Sequence, residues 1–422
     1  MHHFSYRGGI LHAEDVPLPQ IAAAVGTPFY CYSSATLTRH YRVFEDALKG
    51  LGATICFAVK SNANLAVIRT LVNLGAGCDV VSGGELQLAL KAGCPPEKIV
   101  FSGMGKTEAE LRLALACDVG QINVESEAEL ETLSRLASGM GKTARIALRV
   151  NPDVDSGGHD KITTGRKEDK FGIEWTLAPA LYRKARALPG IAPVAVAVHI
   201  GSQITQLAPF EAAFLRVRDL VVMLRADGID IRHLDLGGGL GVPYDHTSNT
   251  TPPSPEAYGA MVKRAVGDLG CALTFEPGRL IVGNAGILVS EVITLKESTT
   301  RKFVIVDAAM NDLVRPAMYG ARHDIIPVKE ARAGDVAAVD VVGPVCETTD
   351  IFAKGYALPP LAPGDLVAFL TAGAYGAVMA STYNARPLIP EVMVQGDHFA
   401  VIRRRPTFAE MTALEQLPPW IE

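Results

Sequence analysis

The chain has 422 residues, too many for one small hydrophobic core, so two domains are the natural expectation. A hydrophobic fraction of 48% excludes an intrinsically disordered chain, and a formal net charge of −5 argues against nucleic acid as a partner. Seven cysteines, an odd number with no C-x-x-C spacing, fit free thiols in a reducing cytoplasm, and no metal-ligand set is read.

The start, Met1-His2-His3-Phe4, has no basic end leading into an apolar core, so no signal peptide is expected. Phe29–Ser33 is the first strand-like run. Short Val/Ile/Ala-rich runs then alternate with amphipathic segments, at 54–60, 77–82, 99–103, 121–126, 145–151, 194–201, 233–238 and 271–276. The first five begin about 22–24 residues apart, one strand plus one helix plus two loops. Eight such units predict a (β/α)8 TIM-type barrel over 34–280, with helices such as 85–92 and 127–136 between strands. A doubly wound open sheet is the alternative. The polar stretch 152–170, with three glycines and five basic residues counting His159, reads as a βα-loop insertion at the active face or as a surface loop.

After Ile281 the texture changes. Runs at 303–307, 336–342, 365–370 and 398–402 are strand-like with little helical periodicity between them, so 281–422 reads as a mostly β domain. The segment 1–33 is expected to join it. The charge-free stretch 366–385 has the length of a membrane span, but Thr371, Gly373, Tyr375, Gly376, Ser381 and Asn384 make it strand, loop and helix start. No membrane partner is expected.

In a barrel the C-terminal strand ends face the active site. Here those ends carry Lys60, Ser102, Arg149 with Asn151, His199 to Ser202, Gly237 to Gly239, and Glu276 to Arg279. A buried strand tolerates a lysine at its tip when the ammonium reaches water, finds a partner or loses its proton. A desolvated lysine is the type that forms a Schiff base with a carbonyl. Alone, Lys60 reads as a solvated strand end; polar groups recurring at one end of successive apolar runs reverse that. Gly237, Gly238 and Gly239 let backbone N–H groups approach an anion after strand seven, where barrels hold phosphate, and Gly278 lies on the adjacent strand end. A tight turn is the other reading. Glu276 in an apolar strand tip needs a cationic or proton-sharing partner, either Arg279 or a pyridine nitrogen. A lysine, a phosphate cradle and a carboxylate together describe pyridoxal 5'-phosphate, with Glu276 keeping the ring nitrogen protonated so that the ring acts as an electron sink. His199 is either a ring stacked on a flat cofactor or a satisfied core histidine.

As a set these residues resemble the fold-type III pyridoxal-phosphate decarboxylases, the family of diaminopimelate, ornithine and arginine decarboxylases. The likeness runs in order through F-A-V-K at 57–60, C-D-V-V-S-G-G-E at 78–85, H-I-G-S-Q at 199–203, D-L-G-G-G-L-G at 235–241 and E-P-G-R at 276–279. It continues with G-P-V-C-E-T-T-D at 343–350 and A-G-A-Y-G at 372–376, so it covers nearly the whole chain. H-I-G-S-Q and the glutamate after Cys346 are most similar to the meso-diaminopimelate branch; ornithine-type relatives usually have aspartate in place of Glu347.

The resemblance implies that Lys60 carries the cofactor, that His199 stacks on it, and that Gly237, Gly238, Gly239 and Gly278 hold its phosphate with Ser202 nearby. Asp79, Pro277, Arg279 and Tyr375 are placed at the cofactor by the same likeness. It further implies a head-to-tail homodimer in which Cys346 and Glu347 enter the partner's site, so that Lys60, Glu276, His199 and Cys346 form the catalytic set. Meso-diaminopimelate has an amino-acid group at each end. Arg279 and Arg315 would take the distal carboxylate, Glu347 the distal ammonium, and Tyr319 and Tyr375 would form hydrogen-bonding walls. On the residues alone Cys346 is a small buried thiol, Arg315 a surface residue, and the two tyrosines packing aromatics. The expected activity is decarboxylation to L-lysine, with Cys346 or Lys60 returning the proton. Its rivals are a decarboxylase of ornithine, arginine or lysine, a non-catalytic regulator on the same fold, and a small pyridoxal-phosphate carrier.

Overall fold

Eight parallel strands follow one another in the chain and pair in that order: Ala53–Ala58, Gly77–Val80, Ile99–Phe101, Gln121–Val124, Ala144–Asn151, Ile191–Ala197, His233–Asp235 and Ala272–Phe275. The eighth pairs with the first, Phe275 opposite Ile55, which closes the sheet. The barrel expected from the repeat is therefore formed, and the open sheet is excluded. The computed structural model describes residues 2–155, 164–165, 170–245, 251–331 and 336–421. Of the polar stretch read as a loop insertion, 156–163 and 166–169 lie outside the described residues.

Local chemistry starts a helix soon after each of the first four strands. Asn64, Ser82, Thr107 and Ser126 are N-caps whose side chains accept a backbone N–H of the first turn, and Thr107 forms a capping box with Glu110. Each such cap stabilises its helix by about 1 kcal/mol. The helices bury one apolar face, as in Val67, Ile68 and Leu71 or Leu130, Leu133 and Leu136. Strands five and six carry the small buried residues Ala147, Ala195 and Ala197. Strands four and seven meet across the barrel through polar side chains, Gln121 and Asn123 against Asp235. That polar filling leaves the C-terminal end hydrogen-bonded where many barrels hold packed Val, Ile and Leu.

One detail departs from expectation. The first strand stops at Ala58, and Val59–Ser61 is a single 3-10 turn, so Lys60 lies on the turn and not on the strand. The Ser61 hydroxyl donates to the Ala58 carbonyl at 2.7 Å, and the Asn62 N–H to the Val59 carbonyl at 2.9 Å, which closes that turn.

The chain divides into two units. The barrel occupies Leu37 to Pro243 and resumes to Val282; the other unit takes the chain up to Thr36, Tyr244 with Asp245, and the chain from Gly283 on. In this second unit Gly286–Glu297 is the central strand. It pairs antiparallel with Phe29–Ser33, with Leu366–Phe369 and, along its second half, with Lys302–Val306. Ala337–Val342 and Ile351–Leu358 extend the sheet on one side, Glu391–Gln395 and His398–Arg403 on the other. A three-stranded antiparallel sheet, Phe4–Arg7, Ile10–Ala13 and Val16–Pro17, packs its Phe4, Leu11 and Val16 with Phe29, Ile287 and Val392. The stretch 366–385 is a strand followed by two short 3-10 turns, Ala377–Met379 and Tyr383–Ala385. Among the described residues, no helix is long and apolar enough to cross a membrane.

Candidate active site

Lys60 follows the end of strand one, and Asp79 lies within strand two, one residue before its end. The Lys60 Nζ lies 3.0 Å from Asp79 Oδ2; the lysine side chain keeps 34% of its surface exposed while the aspartate is fully covered. The amine is therefore open at the barrel's C-terminal end and anchored from below. Asp79 Oδ1 is buried with no hydrogen-bond partner among the described residues.

Glu276 follows strand eight and is buried. Its Oε1 accepts from the Ser102 hydroxyl at 3.3 Å. Burial, then the Asp235 and Asp79 charges, push its carboxyl well above the ordinary range, against the pull of Lys60 and Arg149. Arg279, the partner considered from sequence, sits at the start of the short helix Arg279–Val282 and donates from Nη2 to Ser202 Oγ at 3.0 Å. Arg149 pairs with Glu125 at 2.8 Å, with its guanidinium 5.0 Å from the Phe171 ring centre.

His199 follows strand six. Its Nδ1 accepts the Gly238 N–H at 3.2 Å, and desolvation, helped by Lys60 and Arg149, holds the imidazole well below its ordinary pKa. A neutral ring is what that acceptor role needs. Gly237 and Gly239 have φ of +63° and +106°, and a Cβ at Gly238 would lie 2.2 Å from the Glu276 carbonyl oxygen. Close backbone approach to strands six and eight thus accounts for the three glycines by itself. Gly278 is similar: a Cβ there would lie 2.9 Å from the Ser61 Cβ. Pro277, between Glu276 and Gly278, accepts the Ala58 N–H at its carbonyl, 3.1 Å, tying strand eight to strand one.

The remaining candidates belong to the second unit. Arg315 is buried and not on the surface: its guanidinium lies 4.3 Å from the Tyr244 ring centre and donates from Nη1 to His323 Nε2 at 2.8 Å. Tyr319, half-buried, ends the helix Arg315–Tyr319, and Gly320 at φ +60° stops it. Cys346 is exposed and not a buried thiol; its N–H donates to Asn384 Oδ1 at 3.0 Å. Beside it the exposed Glu347 accepts from the Tyr383 hydroxyl at 3.2 Å. Their turn is pinned by Asp350, whose carboxylate accepts the Val345 and Met310 N–H groups at 2.7 Å each. Tyr375 is half-buried at φ +55°. The structure thus brings Lys60, Asp79, His199, Ser202, Gly237 to Gly239 and Glu276 to Arg279 to one end of the barrel, and places the other five candidates in the second unit.

Sequence reasoning missed Asp235, Gln121, Asn123, Tyr244 and His323. Gln121 and Asn123 did leave a signal, since two polar residues at i and i+2 share one face of an otherwise apolar strand.

A primary amine on an anchoring carboxylate, a buried carboxyl beside it and a neutral imidazole form a donor set that fits pyridoxal phosphate. The family model described as "Pyridoxal-dependent decarboxylase, pyridoxal binding domain" matches residues 34–283. The chain belongs to the pyridoxal-dependent decarboxylase family. Among its relatives, a diaminopimelate decarboxylase of Zymomonas mobilis is 49% identical over 421 residues, covering 99% of both chains. The crystal structure of diaminopimelate decarboxylase from M. jannaschii superposes with a TM-score of 0.94 at 35% identity, covering 99% of this chain and 98% of that one. That of the Helicobacter pylori diaminopimelate decarboxylase complexed with L-lysine does so at 0.90 and 39%, covering 94% and 98%.

Proposed function

We propose that the chain decarboxylates meso-2,6-diaminopimelate to L-lysine and CO2, the last step of lysine biosynthesis, with pyridoxal 5'-phosphate as cofactor. The observation that carries the reading is identity of 49% along 99% of both chains with a protein named for that reaction.

When bound, the cofactor supplies an electron sink for the pair left behind by CO2. The chain's own groups do the rest. Lys60 offers the amine that holds the cofactor, and Asp79 fixes that amine 3.0 Å away until substrate competes for the cofactor. Glu276, a buried carboxyl at the end of strand eight, would be the group that partners the cofactor's ring nitrogen. His199, uncharged, presents a flat face without adding a cation to the site. Arg279 and Arg315 bind the distal carboxylate as planar forks, Glu347 the distal ammonium, and Tyr319 and Tyr375 flank them. A substrate ending in an ammonium alone would leave both arginines facing a cation.

The functional unit is a homodimer with shared sites, in which Cys346 and Glu347 serve the partner's barrel. Their exposure on the turn between Ala337–Val342 and Ile351–Leu358 supports this. Cys346 or Lys60 returns a proton to the carbon that lost CO2. Seven free cysteines support a cytoplasmic location. Purified protein given meso-diaminopimelate is expected to release CO2 and L-lysine in equal amounts, only after loading with pyridoxal phosphate. CO2 release without lysine, or none at all from the loaded protein, overturns the reading.

A further inference from the structure

Gln203, the last residue of the H-I-G-S-Q run, sits at φ +59°, a left-handed conformation that glycine adopts freely and glutamine rarely. Its side chain explains why glycine does not stand there. The amide Nε2 donates to the Val242 carbonyl at 2.6 Å, and Oε1 accepts the Val242 N–H at 3.1 Å. Both polar atoms of one side chain therefore close on the backbone of one residue, as a neighbouring strand would. The main chain continues the pairing. Ile204 donates to the Gly239 carbonyl at 2.9 Å, Gly241 donates to the Ile204 carbonyl at 3.0 Å, and Ile204 and Leu240 form a parallel bridge. The N–H groups of Gly237, Gly238, Gly241 and Val242 are thus taken by Asp235 Oδ1, His199 Nδ1, the Ile204 carbonyl and Gln203 Oε1. Between these fixed points lie the N–H groups of Gly239 and Leu240. Ser202, next to Gln203, accepts Arg279 Nη2 at 3.0 Å.

We propose that Gln203 is a positioning residue that clamps the loop 237–242, after strand seven, to the loop 199–204, after strand six. The clamp holds the Gly239 and Leu240 N–H groups and the Ser202 hydroxyl as a ready-made cradle for the cofactor's phosphate. The inference rests on the reading that this glycine loop holds the phosphate. Gln203 acts through the Val242 backbone and not on the anion itself. A loop that is ordered before its ligand arrives loses less conformational freedom on binding, so the clamp acts on affinity. Glutamine is the side chain that suits: a glutamate would offer no donor to the Val242 carbonyl and would bring negative charge toward a phosphate.

Q203G removes the clamp and also relieves the left-handed backbone, so any loss reports the side chain. Q203N, which tolerates that backbone but is one methylene too short to reach Val242, serves if Q203G does not fold. In the cofactor-free variant, hydrogen exchange at the Val242, Gly241 and Ile204 amides is expected to quicken by at least about tenfold, while the Leu236 amide, bonded to Thr274 within the barrel, keeps its rate. Pyridoxal phosphate, and pyridoxal without the phosphate, are then titrated into both proteins. Wild type is expected to bind pyridoxal phosphate far more tightly than pyridoxal. The variant should lose at least about tenfold in affinity for pyridoxal phosphate and keep its affinity for pyridoxal within about twofold. Unchanged exchange at Val242 overturns the proposal, as does quickened exchange with unchanged affinity for pyridoxal phosphate. Equal losses for both ligands also overturn it, leaving Gln203 a purely structural residue. Wild type that binds both ligands equally well contradicts the underlying reading instead, and removes the phosphate from the glycine loop.

Discussion

The Lys60 Nζ lies 3.0 Å from the Asp79 carboxylate, the lysine on the turn after the first barrel strand and the aspartate within the second. The pair aims a primary amine and leaves it open to a cofactor aldehyde. Borohydride reduction of the yellow, loaded protein is therefore expected to fix the cofactor to the peptide containing Lys60. K60A should remain colourless after incubation with pyridoxal phosphate. Label on another lysine would remove Lys60 from its role.

Two groups at this end of the barrel give opposite pH dependences to the cofactor-free fold. The His199 pKa is depressed, so below about pH 6.5 the unfolded chain binds a proton that the folded chain refuses, and stability falls with falling pH. The Glu276 pKa is raised. Above about pH 4.3 the unfolded chain releases a proton that the folded chain keeps, and stability falls as pH rises toward the folded value. Denaturant unfolding across this range should show the acid-side loss flattened in H199Q and the alkaline-going loss flattened in E276Q. Slopes identical to wild type in both variants would mean that neither group is perturbed.

The barrel was legible because its signal is local: apolar runs that alternate with amphipathic segments, the first five starting about two dozen residues apart. The second unit was less so. Its central strand, Gly286–Glu297, is buried up to Ser290 and mostly exposed from Glu291 on, so no single period runs through it, and its partner Phe29–Ser33 lies some 250 residues upstream. Ile351–Leu358 is interrupted by Lys354 and Gly355, and the N-terminal strands have four residues or fewer. In the site, Lys60 and Glu276 stood out as charges closing apolar runs. Asp235 was visible only as part of a glycine motif, because its partners Gln121 and Asn123 come to it through closure of the barrel. Arg315 reads as a surface residue until Tyr244 and His323 are seen to enclose it.

Recognition of the distal carboxylate is expected to depend on both arginines. A charge-assisted hydrogen bond contributes about 1.5–3 kcal/mol. R279K and R315K, which keep the charge and lose the planar fork, should each lower kcat/KM for meso-diaminopimelate by at least about tenfold. Thermal unfolding measured alongside separates lost recognition from lost fold, since both arginines are buried. Unchanged kcat/KM in R315K would make Arg315 a packing residue held by Tyr244.

Shared sites are tested by subunit exchange. K60A and C346A are each expected to lose activity, the second by about 10²–10⁴-fold if the thiol moves a proton. Mixed and allowed to exchange, they form a heterodimer with one site carrying both intact residues, and part of the activity should return. No recovery despite proven exchange would place Cys346 in its own subunit's site or outside the chemistry.

Substrate choice separates this reading from its nearest rivals on the same fold. The loaded protein is incubated separately with meso-diaminopimelate, ornithine, arginine and lysine, and the products and kcat/KM values are compared. Meso-diaminopimelate should be converted to L-lysine with a kcat/KM at least about tenfold above the others, because only it offers a distal carboxylate to Arg279 and Arg315. Faster release of CO2 from ornithine, arginine or lysine would contradict the assignment while leaving the family intact.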